Sequence, residues 1–167
     1  MPIDLPPPLW LKEQHHLVRD NGVITMTVFQ PPKALKHNVF VHRLCVAVNP
    51  DRRIMARFRL EIAGLLPHQP YFPNMNSAVH IGIVFHLRRP NNHFTNSNRN
   101  NSVEQNFLKA KVGSKGDTDN MIKFVLDAGN TVLYEDDRQV TSIIANKIWH
   151  EDPTSQGTVT VALKLID

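Results

Sequence analysis

Residues 115–149 read KGDTDNMIKFVLDAGNTVLYEDDRQVTSIIANKIW, and the order of elements in this stretch sets the fold class. From Asp119 to Ala128, Ile122, Val125, Leu126 and Gly129 recur at spacings of three and four, which predicts a helix packed along that side. Gly129-Asn130 ends it. Its polar stripe is Asp119, Lys123 and Asp127. A turn through Glu135, Asp136 and Asp137 then feeds a strand from about Gln139 to Trp149.

Working outward, the clearest strand lies upstream, from Ala78 to Arg88. There Ile81, Ile83, Phe85 and Leu87 alternate with His80, Gly82, Val84 and His86. Further upstream, Val23 to Phe29 alternates as a first strand, closed by Pro31 and Pro32, which cannot donate to a ladder. Phe40 to Val48 suits a second, short strand. Asp51 has the character of an N-cap for a helix to about Leu66, with Ile54, Phe58, Ile62 and Leu65 on one face and Pro67 as its stop. Downstream, a turn over residues 153–157 leads to a last strand from Thr158 to Leu165. The order β-(β)-α-β-α-β-β predicts one α+β domain over residues 23–167, a mixed sheet with two main helices. Residues 1–22, with Pro6, Pro7 and Pro8, read as an arm ending in an Asp20-Asn21-Gly22 turn. Residues 88–116 read as a flexible, basic, Asn-rich loop.

Composition bounds the function. With 167 residues and 41% hydrophobic content, the chain is long enough to bury one proper core. No stretch approaches the roughly 20 apolar residues of a membrane helix. The first residues lack a basic region and an apolar run, so no cleaved secretion signal is expected. The single cysteine, Cys45, excludes an internal disulfide and a cysteine-rich zinc site. A soluble intracellular protein is expected.

The net charge of +4 hides an asymmetry: residues 1–103 carry 12 basic and 5 acidic groups, residues 104–167 carry 7 and 10. Six of those acids lie between Lys115 and Asp137. A basic body around an acidic focus suits a polyanion that must also meet a cation, and it equally describes ordinary surface charge.

Asp117, Asp119, Asn120, Lys123, Asp136 and Asp137 form the one cluster with catalytic character. In an extended chain Asp117 and Asp119 point the same way, about 6.5–7 Å apart, and two carboxylates so placed can hold hard divalent cations. Asp136 and Asp137 are adjacent and point to opposite sides, so only one of them can easily join. Magnesium on such acids neutralises phosphodiester oxygens, activates a water and stabilises a leaving 3′-oxygen. The same residues admit plainer roles: helix caps at Asp117 or Asp119, an exposed Asp119–Lys123–Asp127 ladder, a solvated turn at 135–137. An EF-hand is excluded, because Ile122 stands where its glycine belongs. A phosphate-binding Gly-Lys loop, a Gly-x-Ser-x-Gly elbow and a His-Glu-x-x-His helix are all missing from the sequence.

The stretch resembles the signature of the RusA-type Holliday junction resolvases, Pro-Asp-x-Asp-Asn-x-x-Lys-x-x-x-Asp-Ala followed by Asp-Asp-x-Gln-Val and a later lysine. Asp117, Asp119, Asn120, Lys123, Asp127, Asp137, Gln139 and Lys147 fall in register with it, and the double proline after Phe29 is similar to the one that closes the family's first strand. Gly116 stands in place of the usual proline. The resemblance implies a RusA-like fold and a homodimeric endodeoxyribonuclease, dependent on Mg²⁺ with Mn²⁺ as substitute, that cuts four-way DNA junctions in two symmetric strands. It implies Asp117, Asp119 and Asp137 as metal-binding acids and Lys123 as the catalytic lysine. Asn120, Asp136, Gln139 and Lys147 would support them. Other branched DNA (flaps, forks) is the neighbouring substrate class, and a non-catalytic junction-binding module the alternative of a different kind. Candidate DNA contacts are Lys33, Lys36, Arg88, Arg89, Arg99, Lys109, Lys111 and Lys115, with His37, His42 and Arg43 as further cations near the double proline. No membrane partner is expected, and such an enzyme would work in the cytoplasm or nucleoid. Trp149 reads as packing, His80 and His86 as a half-exposed sheet face.

Overall fold

In a computed structural model of the chain, the described residues are 16–34, 36, 39–41, 46–89, 116–152 and 154–166. Five strands form one mixed sheet: β1 (His16–Asp20), β2 (Val23–Val28), β5 (Ala78–Leu87), β6 (Val140–Trp149) and β7 (Gly157–Ile166), in the spatial order β1-β2-β7-β5-β6. Two short strands, β3 (Val39–Val41) and β4 (Val46–Val48), pair separately as a hairpin. The helices are α1 (Arg52–Leu65) and α2 (Thr118–Gly129). The fold is a single α+β domain, as expected. Neighbours in the sheet are antiparallel except β5 and β6, which run parallel and are joined through α2, as a parallel pair requires.

Alternation along β5 makes the core. Val79, Ile81, Ile83, Phe85 and Leu87 are buried on one face. In register with them, Val159, Val161 and Leu163 of β7 and Ile24, Met26 and Val28 of β2 extend the apolar layer. Phe58 and Ile62 of α1 and Met121, Phe124, Val125 and Ala128 of α2 belong to the same core, with Phe58 and Phe124 edge to face at 5.5 Å.

Several expectations change. The sheet begins inside the span expected as an arm: β1 pairs with β2 through Asn21-Gly22, whose φ values of 48° and 76° are those of a tight hairpin turn. The rest of the arm, residues 1–15, lies outside the described residues. The strand expected over 40–48 is the β3–β4 hairpin. On α1, Ile54 is exposed, and the Asp51 carboxylate makes no cap bond; it accepts the Lys36 backbone N–H at 2.9 Å and pairs with Lys33 at 3.3 Å. On α2 the buried stripe is Met121, Phe124, Val125, Ala128 and Gly129, one position round from the expected one, with Ile122 and Leu126 only partly covered. Trp149 is buried. The loop expected at 88–116 is described only at its ends, and Cys45, His37, His42 and Arg43 lie outside the described residues.

Gly129 has a steric reason. A Cβ there would lie 2.7 Å from the Tyr134 hydroxyl and 2.9 Å from its ring carbon Cζ. Alanine would gain up to about 1 kcal/mol of helix propensity, but overpacking a filled site costs about 1–3 kcal/mol. Gly129→Ala is therefore expected to lower the melting temperature; an equal or higher value would contradict this packing.

His86 lies on the other face of β5, its ring 5.6 Å from that of His150. Burial first, and then the charge His150 can carry, hold its pKa below the ordinary histidine value, against a smaller opposite effect of Glu151. Such a histidine stays neutral in the fold and takes up a proton on unfolding. Its contribution is thus intact above about pH 6.5 and is lost as pH falls below that unfolded-state value. His86→Gln is expected to flatten the loss of urea resistance between about pH 7 and pH 5; an unchanged slope would count against it.

Candidate active site

The site begins where α2 begins. Gly116 has φ +91°, and its carbonyl accepts Lys147 Nζ of β6 at 2.9 Å. A Cβ on Gly116 would stand 2.9 Å from Cβ of Ala34, so the segment leaving β2 packs directly against it. Asp117 is the N-cap by position, extended at φ −74° and ψ 136°, but its side chain makes no cap bond. Asp119 is the acid of the first turn. The helix starts at Thr118, so the two acids do not alternate along an extended strand. They share the exposed end of a helix, and among the described residues neither carboxylate has a hydrogen-bond or ion-pair partner. The partial positive charge of the helix end keeps two unpaired anions there tolerable.

Lys123 lies one turn on, and its partner is the following acid of the stripe: Nζ is 3.4 Å from Asp127 Oδ2. The lysine side chain is 62% exposed, so the pair ties the amine loosely and leaves it open to an incoming anion. Beyond the helix, Tyr134 is fully buried and its hydroxyl donates to the Leu126 carbonyl at 2.9 Å. Burial, then the charges of Asp137 and Asp127, push its pKa far above the ordinary phenol value. From α1, Arg59 caps the C-terminal end of α2 by donating to the carbonyls of Asp127 (2.8 Å) and Ala128 (3.2 Å).

The acidic turn is organised by one amide. Gln139, 3% exposed, accepts the backbone N–H of Glu135 (2.7 Å) and Asp136 (3.2 Å) with Oε1, and donates through Nε2 to the carbonyls of Phe72 (3.3 Å) and Asn74 (2.7 Å). Every hydrogen-bonding capacity of the side chain is used. Asp136 is occupied too: it accepts from the backbone N–H of Arg138 at 2.9 Å and from its guanidinium at 2.8 and 3.2 Å. Those hydrogen bonds hold its carboxyl below the usual carboxylate range. Asp137, half-buried, lies beside it, and its side chain adds a smaller hydrogen-bond contribution to lowering the Asp136 carboxyl.

A family model described as Endodeoxyribonuclease RusA matches residues 18–162. The chain belongs to the RusA endodeoxyribonuclease family. No curated protein matches it. The RusA match starts inside β1 and ends inside β7, so it reaches all five strands of the sheet. Where the RusA signature has proline, Gly116 adopts a positive φ that proline, fixed near −65°, cannot reach.

Seen as a RusA site, the residues fall into two groups. Asp117 and Asp119 stand at the start of α2, where Lys147 holds the Gly116 carbonyl; Asp127 and Asp137 both act on Tyr134, whose hydroxyl meets the Leu126 carbonyl in the second half of the helix. Among the described residues no three His, Cys, Asp or Glu side chains are close enough to hold an ion together. The Asp117 and Asp119 oxygens nonetheless fit a hard cation by donor type and by being unpartnered.

Of the expected DNA-contacting cations, Lys33 pairs with Asp51, Lys36 is exposed, Arg88 donates to Gln156 at 3.0 Å and Arg89 is buried, away from the surface. Arg99, Lys109, Lys111 and Lys115 lie outside the described residues. Arg52, Arg53 and Arg57 of α1, not singled out from the sequence, are exposed as well. Their signal was present in the helical period, which puts them opposite Phe58 and Ile62.

Proposed function

We propose that the chain is a divalent-metal-dependent endonuclease that resolves four-way DNA junctions by paired, symmetric phosphodiester hydrolysis. The observation that carries this reading is the pair of unpartnered carboxylates, Asp117 and Asp119, at the exposed start of α2 in a RusA-family chain. Water gives up a proton as its oxygen forms the new bond to phosphorus, the P–O3′ bond breaks, and the leaving 3′-oxygen takes up a proton. Asp117 and Asp119 would hold Mg²⁺ or Mn²⁺, with Asp137 as the third acid named by the resemblance. The ion's part is to offset phosphate charge and lower the pKa of water. Lys123, loosely tied to Asp127, would neutralise a phosphate oxygen, and Lys147 would hold the Gly116 turn from which Asp117 projects. Two nicks related by symmetry require two copies of the site, which a two-fold homodimer supplies. Such an enzyme would act inside the cell, on DNA undergoing recombination or repair.

The test is a substrate panel of four-way junction, fork, flap and linear duplex in magnesium. The junction is expected to be cut fastest, in two opposing strands. Equal rates on junction and linear duplex would remove the junction claim, and preference for a flap or fork would move the substrate to other branched DNA.

A further inference from the structure

We propose that a cleft between the end of β2 and α1 receives one unstacked nucleobase of the bound DNA and gives cleavage its sequence preference. This rests on the nuclease reading above. The cleft has a volume of about 280 Å³, with residues 29–33 on one side and Ile54 and Arg57 of α1 on the other. That is just under the roughly 300–1,000 Å³ of sites for larger ligands, and suits a single flat heterocycle. Its walls are an aromatic ring, two proline rings and an isoleucine, surfaces on which any base can stack.

Gln30 supplies the polar group. It is 5% exposed, and its Nε2 has no hydrogen-bond partner among the described residues. A buried, unsatisfied donor costs stability and calls for a reason. A base edge offers the missing acceptor, a ring nitrogen or a carbonyl oxygen.

Lys33 and Arg57 line the cleft, and two further cations stand on the same helix. Arg52 and Arg53 begin α1, which has no acid in its first turn, so their charges stand at the wrong end of the helix dipole. Arg57 is 73% exposed while paired with Glu61, and Lys33 is paired with Asp51. Charges held against the dipole at the surface suit phosphates on either side of the inserted nucleotide. Distance along the chain fits as well: Ala34, next after Lys33, packs on Gly116, the residue before Asp117. The base would therefore flank the phosphate that is cut, and at a branch point unstacking it costs least.

Two measurements test this. The first maps cut sites on a pool of junctions randomised around the branch. Wild type is expected to favour one base at a fixed position by roughly 5–100-fold, the range of a well-placed amide contact. Gln30→Leu should keep cleaving, melt at the same or a higher temperature, and lose that preference. Unchanged cut sites in an active Gln30→Leu protein overturn the cleft and leave the nuclease reading standing; no cutting by wild type overturns both. The second measures binding by Asp119→Asn protein, with Gln30 intact, to junctions with and without an abasic site at that position. A roughly 5–100-fold loss of affinity is expected without the base, and equal affinities overturn the proposal.

Discussion

Asp119→Asn is expected to slow junction cleavage by roughly 10³-fold while junction binding is kept or tightened. The substitution preserves shape and removes one charge. Asp119 has no partner among the described residues, so little packing or hydrogen bonding is lost with it. The carboxylate's favourable place at the helix N-terminus is worth only about 0.3–1 kcal/mol, so the fold survives. Removing a negative charge from a surface that meets phosphates cannot weaken the electrostatic part of binding. What is lost is an anionic oxygen for the cation, and an effect confined to the chemical step of this size is ordinary for such a group. Asp137→Asn is expected to show a loss of the same order. Rates are read by single-turnover cleavage and affinity by gel shift. Undiminished cutting by Asp119→Asn contradicts the assignment.

Gln139→Leu is expected to be strongly destabilising. It strands two backbone N–H groups and two carbonyls around a side chain that is 3% exposed. At about 1–3 kcal/mol for each buried group left unmatched, and with some reached by water, the loss should be about 3–5 kcal/mol. That is a large share of a typical 5–15 kcal/mol total. Gln139→Glu separates charge from shape. It keeps the acceptor, but turns an anionic oxygen toward the Phe72 and Asn74 carbonyls, so its folded-state pKa should lie above its unfolded one. The penalty is then greatest above the folded-state pKa and shrinks as pH falls and the acid becomes a donor. Chemical denaturation across pH reads both variants. A Gln139→Leu protein that unfolds at the wild-type denaturant concentration contradicts the role given to this amide.

How much of this was legible in the sequence varies with how local the cause is. Alternation along β5 is local, and its buried face was read correctly. The span of α2 is local too, but its face is not. Met121, Phe124 and Ala128 make as good a stripe as Ile122 and Leu126, and both share Val125 and Gly129. Phe58 and Tyr134 select the first, from 66 residues before Phe124 and 10 after it. Asp51 looked like a helix cap because caps are local, whereas the lysine and backbone N–H that claim it come from 18 and 15 residues away. The Asn21-Gly22 hairpin was readable as a turn, yet the short, mostly exposed β1 carries too little alternation to mark itself as a strand. At the site, residue types were legible and their grouping was not. Asp117, Asp119 and Asp137 stand together in the motif, whereas among the described residues no three such side chains are close enough to hold an ion. Most of the 12-residue helix α2 separates Asp119 from Asp137 along the chain, and its rise of about 1.5 Å per residue is invisible to a pattern of letters. The role of Gln139 was hidden for the same reason, since two of its four partners are 65 and 67 residues away.

The central claim is metal-dependent, paired cleavage at a branch. Its most direct test is a single synthetic four-way junction, each strand end-labelled in turn, incubated with wild-type protein in Mg²⁺ or in EDTA and run at nucleotide resolution. The account predicts nicks at symmetric positions in two opposing strands in Mg²⁺ and none in EDTA. Cutting that persists in EDTA, or nicks scattered without pairing, would contradict it.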